Sequence, residues 1–241
     1  MSGPNQTHLL IPAALLSVGL ATAGYFIGQT LYNSKVGINT AEVKGLAERR
    51  VQADRAYWRI QYTVTGQDGD TIEALYQLSE SHQEQIVALL LGSGFDESEV
   101  SPGVVAYGRQ EFRDENQNLV DERIRLTGSI DVQTDQVRQV SQARAKLNKL
   151  IAKGIDIQNN PPAYHFTKLN DIKPDMLKEA TTNARLAANE FAANAGVRVG
   201  GIRSARQGGF NIRDVGESYG DTAKIDKDVR VVTTITFYLT R

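Results

Sequence analysis

Residues 9–31 form a run of 23 residues without a charged side chain, and no other feature limits this chain as much. As a helix the run reaches about 34 Å, enough to cross a bilayer core with a little tilt. It is apolar on every face, which a helix packed on one side of a water-soluble core does not need. Leu9, Leu16, Phe26 and Leu31 are the candidate anchor residues. A cleaved signal peptide is the rival reading, with residues 9–20 as the apolar centre and Ala21-Thr22-Ala23 as a small-x-small cleavage site. Against cleavage, residues 1–8 contain no Lys or Arg, and Tyr25, Phe26, Ile27 and Leu31 carry the apolar stretch past the cut. The expectation is an N-terminal transmembrane anchor (or uncleaved signal) over residues 1–32 and a polar tether over 33–40. Gly24-x-x-x-Gly28 matches the small-residue motif of paired membrane helices. The nearest positive charges, Lys35 and Lys44, lie C-terminal to the span, and the positive-inside rule then favours a cytoplasmic body.

The rest of the chain has no chemistry announced by composition. Cysteine is absent, which removes thiolate metal sites, disulfides and cysteine nucleophiles together. Lys plus Arg number 27 against 28 Asp plus Glu, so there is no basic surplus for a nucleic-acid backbone. His8, His82 and His165 are the only imidazoles.

Hydrophobic periodicity outlines the body. Ala56, Trp58, Ile60, Tyr62 and Val64 alternate with Tyr57, Arg59, Gln61 and Thr63, a strand with one buried face. Asp70 with Glu73 reads as a capping box ahead of a helix carrying Leu75, Leu78, Ile86 and Leu90, stopped by Gly92 and Gly94. Two strands, 104–112 and 119–132, flank a polar turn. Thr134 or Asp135 can cap a second body helix, closed by Gly154. Pro161-Pro162 precedes a strand at 163–169, and Pro174 opens an alanine-rich helix ending at Ala195-Gly196. A strand from Val197, a Gly-rich loop and a strand over 229–239 complete the order β-α-β-β-α-β-α-β-β. The hairpin-linked central strands require antiparallel pairing. The fold class is therefore α+β, an antiparallel or mixed sheet with helices packed on one side, preceded by one transmembrane helix.

Motif matches fail on their surroundings. Gly216-x-Ser218-x-Gly220 has the form of a nucleophile elbow, but polar residues follow it and no histidine lies downstream. Asp114-x-Asn116-x-Asn118 begins like a calcium loop, but Leu119 stands where the turn wants glycine and Arg125 where the ion wants a bidentate Glu. The usual Gly-rich phosphate cradles are missing. Nothing here assembles a catalytic, metal or cofactor site.

The alanine-rich helix carries a likeness to a family. Ala180-Thr181-Thr182-Asn183-Ala184-Arg185-Leu186-Ala187-Ala188, followed by Phe191-Ala192-Ala193-Asn194-Ala195-Gly196-Val197-Arg198-Val199-Gly200, resembles the signature of SIMPL-domain proteins, among them bacterial periplasmic immunogenic proteins. Lys153-Gly154-Ile155, Tyr164-His165-Phe166, Val43-x-Gly45-x-Ala47 and Val51-x-Ala53-Asp54-x-Ala56 extend the resemblance over residues 41–241. Ala47 stands where a second glycine is common, and Ala53 where proline usually precedes the aspartate. The resemblance implies an α+β body in the bacterial envelope, ring-like homo-oligomers and a part in stress tolerance, without catalytic residues. It also implies a periplasmic body on the inner membrane, against the direction set by Lys35.

Two functional expectations follow. One is a non-enzymatic, membrane-tethered protein whose partners are the bilayer and further copies of itself. Trp58, Tyr62, Phe237 and Tyr238 are then candidate interface aromatics, although Trp58, Tyr62 and Phe237 read first as core. The other is a monomeric or dimeric module for a small envelope ligand, with the Gly-rich segment 207–220 as its loop.

Overall fold

The computed structural model describes residues 7–35, 39–66 and 70–240. Its elements are helix α1 (Thr7–Lys35), strands β1 (Thr40–Gln52) and β2 (Arg55–Thr65), helix α2 (Ile72–Leu91), strands β3 (Val100–Pro102), β4 (Ala106–Arg113) and β5 (Leu119–Thr134), helix α3 (Val137–Ile151), strands β6 (Asp156–Asn159) and β7 (Ala163–His165), helix α4 (Leu169–Asn194), and strands β8 (Arg198–Gln207), β9 (Asn211–Asp214) and β10 (Asp226–Thr240). The protein is mixed α+β with antiparallel sheets, as the sequence pattern requires. α1 includes Asn33–Lys35, the first residues of the expected tether.

The contacts fall into two units. One holds residues 48–176 and 210–230, the other residues 1–47, 177–209 and 231–241. In the first, β2 pairs antiparallel with β5 on one side and with β6 and β7 on the other. β5 also carries β3 and β4. The alternation in β2 sends Ala56, Trp58, Ile60, Tyr62 and Val64 into the interior, where Trp58 and Ile60 share one core with Ile86 and Leu90 of α2 and Val140 and Leu147 of α3. In the second, the strand order is β1-β10-β8, with β8 antiparallel to β10. Ile235 and Phe237 pack on Ala184 and Ala188 of α4.

The alanines are small for a visible reason. A Cβ built on Gly45 would stand 1.8 Å from the Ala180 carbonyl oxygen and 2.5 Å from the Ala184 nitrogen, so β1 and α4 touch backbone to backbone. Only glycine facing alanine allows that approach.

Several boundaries differ from the sequence reading, each for a local reason. α2 is capped by Thr71, not Asp70: the threonine hydroxyl accepts the Ala74 N–H at 3.2 Å. Neither Thr134 nor Asp135 is the residue flanking α3. That place is Gln136, whose N–H goes to Thr134 Oγ1 at 2.9 Å, while Asp135 accepts from Arg55 Nε at 2.9 Å. Pro174 does not open α4, which starts at Leu169 and loses only the bond that residue 174 would have donated to Asn170. The strand expected over 163–169 stops at His165, because both the N–H and the hydroxyl of Thr167 turn to Asp54 at 2.6 Å. The segment 207–220 is not all loop: β9 occupies part of it, paired with the start of β10. β1, β3 and β6 are further strands absent from the expected order. Ala53, standing where proline is common, uses its N–H to bond Ile225 O at 2.7 Å, a bond proline could not donate.

Candidate functional site

α1 exposes every side chain the structure describes in it, including Leu16, Phe26 and Leu31; the Leu9 side chain lies outside the described residues. Residues 12–34 are long and apolar enough to cross a membrane and none of this stretch is buried. Its serine and threonine hydroxyls are bonded within the helix. Ser17, Thr22 and Thr30 donate their hydroxyls to the carbonyls of Ala13, Val18 and Phe26 at 2.8, 2.9 and 2.7 Å. A hydroxyl bonded to its own helix carries no unpaired donor into lipid. Gly24 and Gly28 have open space beside them. By length and composition the helix can cross a membrane, as an anchor or as a signal peptide.

The interface aromatics divide by burial. Trp58 is buried with Nε1–H donated to Asn160 O at 3.0 Å, and Tyr62 is buried with its hydroxyl on Gln83 Oε1 at 3.2 Å. Phe237 is buried with the Arg185 guanidinium 5.2 Å from its ring centre. Only Tyr238 of the four presents surface, 39% of it. A more extensive exposed region comes from a segment the sequence reading took as a plain hairpin. In β4 every residue but Gln110 is exposed, and β5 is largely exposed as far as Arg125. Tyr107, Phe112, Leu119 and Val120 face outward there. The signal was available: one phase of residues 106–113 is Tyr107, Arg109, Glu111 and Arg113 and the other Ala106, Gly108, Gln110 and Phe112, so neither face of that strand is apolar enough to ask for a core.

The concavities hold little chemistry. A cavity of about 600 Å³ is lined by Tyr57, Trp58, Glu99, Asp131, Gln133 and Pro161 among others, and on its wall Arg59 clasps Asp131 with two bonds of 2.6 and 2.9 Å. A smaller one, about 110 Å³, lies beside the Gly-rich segment between Glu48, Arg213, Asp214, Glu217, Asp228 and Arg230. At its base Lys227 and Asp214 form a buried ion pair. Burial acts to raise the Asp214 carboxyl, but the Lys227 ammonium and the N–H groups of Ala223 and Lys224 outweigh it and hold the carboxyl below its ordinary range. Asp54 is held low in the same way, burial being overcome by the two Thr167 donors.

The rejected motifs are explained by their bonds. Asp114 accepts from the N–H groups of Asn116 and Asn118, at 2.9 and 2.8 Å, and closes a turn in which Gln117 takes φ 65°. Ser218 is exposed between Gly216 and Gly220, both at positive φ. Burial pushes the His82 imidazole below its ordinary value, and His165 stands edge-on to Tyr57 at 5.3 Å. Among the described residues no three His, Asp or Glu side chains gather as a metal site would require.

No curated protein matches the chain. The model of SIMPL, a protein family of unknown function (DUF541), matches residues 41–237, from the start of β1 to Phe237 in β10. With most of the chain covered and the Gly45–alanine contact built from the segments that carried the resemblance, this chain belongs to the SIMPL family.

Proposed function

We propose that the chain is a non-enzymatic, single-pass protein of the inner membrane, its body periplasmic, which self-assembles into a ring- or cage-like homo-oligomer and serves as an envelope or stress-related scaffold. The observation that carries this reading is α1, whose residues 12–34 hold no charge, with its described side chains exposed and the hydroxyls of Ser17, Thr22 and Thr30 bonded to its own carbonyls. Water does not tolerate that surface; a bilayer does. An anchor on each subunit would give an assembly avid attachment without strong affinity in any one helix. The periplasmic side and the scaffolding role come from the family likeness.

The test is the mass and shape of the full-length protein in mild detergent, by light scattering and negative-stain imaging. A closed particle of many copies supports the reading. A monomer or dimer would replace it with the second reading, a binding module for a small envelope ligand. The 600 Å³ cavity favours that alternative, since it falls within the roughly 300–1,000 Å³ usual for ligand sites. The pocket beside segment 207–220 is too small for that role.

A further inference from the structure

The β4–β5 ribbon runs beyond the sheet that supports it. β2 accompanies β5 only as far as Arg125, opposite Thr65, so residues 119–123 of β5 pair with β4 alone among the described residues. The far edge of β4 carries no strand among them. A two-stranded ribbon is marginal in water by itself, and an open edge of this kind is a template for another strand.

What distinguishes β4 is the order of its side chains about Gln110. If a second β4 lies antiparallel with Gln110 opposite its counterpart, Arg109 faces Glu111, Gly108 faces Phe112 and Tyr107 faces Arg113, each twice by symmetry. Opposite residues share a face, so these are direct cross-strand pairs: opposite charges, an aromatic over a glycine, and a cation near a ring. The pairing also relieves a defect. Within the ribbon Glu111 stands directly opposite Glu122, a like-charge pair now shared between Arg109, 2.9 Å from Glu122, and Arg113, 2.6 Å from Glu111. A partner's Arg109 would add a second cation beside Glu111.

Strands charged to prevent pairing carry one sign, and β8 is such a strand: Arg198, Arg203 and Arg206 with no acid, so two copies repel. In β1 the central carbonyl, Leu46 O, already accepts from Asn183 Nδ2 at 2.8 Å. β4 has neither defence.

We infer that two copies of this chain join through β4, antiparallel about a two-fold axis at Gln110, with Arg109–Glu111 as the reciprocal ion pair. The inference rests on the self-assembly reading and names one of its contacts.

Because the chain has no cysteine, Gln110→Cys introduces the only thiol, and on the axis it faces its own copy at cross-strand distance. In the full-length protein in mild detergent, mild oxidation or a short thiol crosslinker should convert Gln110→Cys to covalent dimer, while Val104→Cys, exposed but off the axis, should not link. Adding Arg109→Glu should cut the linked species by about tenfold or more, and Arg109→Glu with Glu111→Arg should restore it. Gln110→Cys linking no better than Val104→Cys, in a protein whose wild type still forms large particles, overturns β4 pairing and leaves assembly to another surface. A wild type that is monomeric overturns both.

Discussion

Lys227 Nζ lies 2.5 Å from Asp214 Oδ1, and the two side chains keep 0% and 2% of their surfaces exposed. The ammonium also donates to Asp221 O at 2.6 Å, and the carboxylate accepts from the N–H groups of Ala223 and Lys224. One ion pair thus ties β9, the loop after it and the start of β10 into a single knot. Removing one partner strands the other charge in a site closed to water. Lys227→Met should therefore cost about 3–5 kcal/mol, and Lys227→Met with Asp214→Asn should recover much of it because no charge remains unpaired. Urea unfolding of the three proteins, followed by circular dichroism, measures the difference. Equal losses in the single and double variants would mean that the pair adds nothing beyond packing.

The carboxyls of Asp214 and Asp54 predict the acid behaviour. Both are lowered in the fold, so each contributes stability that is complete above the unfolded aspartate value of about 3.9 and is lost as pH falls through the lower folded values. These two carboxyls should leave stability level down to about pH 4 and let it decline below, while the lowered His82 imidazole adds an earlier loss that begins as pH falls through the unfolded histidine value of about 6.5. Asp54→Asn should be less stable at neutral pH and lose less on acidification, since its Thr167 contacts no longer depend on a charge. A decline with the same slope in both proteins would place the acid sensitivity elsewhere.

The close approach of β1 to α4 sets a steric prediction. Gly45→Ala drives a methyl into the backbone of α4 at Ala180 and Ala184, where no side chain can swing aside, and should cost about 1–3 kcal/mol or more. Gly201→Ala in β8 meets nothing within 4 Å, and should be neutral or gain up to about 1 kcal/mol from the stiffer unfolded chain. Thermal melts should show a clear drop for Gly45→Ala and none for Gly201→Ala; equal drops would mean that the β1–α4 contact is not the cause.

What the sequence showed of this architecture follows from where its signals are strong. β2 was legible because Trp58, Ile60 and Tyr62 sit in one uninterrupted phase, and α2 and α3 because Gly94 and Gly154 end them at φ 96°. β3, β6 and β9 have three or four residues each, too few to display a period. β1 was hidden from periodicity by Glu48, Arg49 and Arg50, charges that fall on both faces of the strand and mask its alternation, and only the family likeness of Val43-x-Gly45-x-Ala47 pointed to it. Lys227 shares the buried phase of Val229 and Val231, but a lysine there reads as loop until its partner, Asp214, is found thirteen residues earlier. The apolar span of α1 was visible from its 23 uncharged residues alone. The β4 edge was not, because self-complementarity matters only once the strand is known to lack a neighbour.

As a shape, α1 fits a membrane anchor and a cleaved signal equally well. If residues 12–34 hold the protein in a bilayer, the full-length chain should sediment with membranes, resist alkaline carbonate and leave only with detergent. Its intact mass should still contain the residues up to Ala23. Leu16→Arg with Leu20→Arg places two charges on the apolar span, at about 2.5–3.5 kcal/mol each near a helix centre, and should move much of the protein out of the membrane fraction. A wild-type chain that begins after Ala23 would mean that the helix is a discarded signal, leaving the body to assemble without a tether.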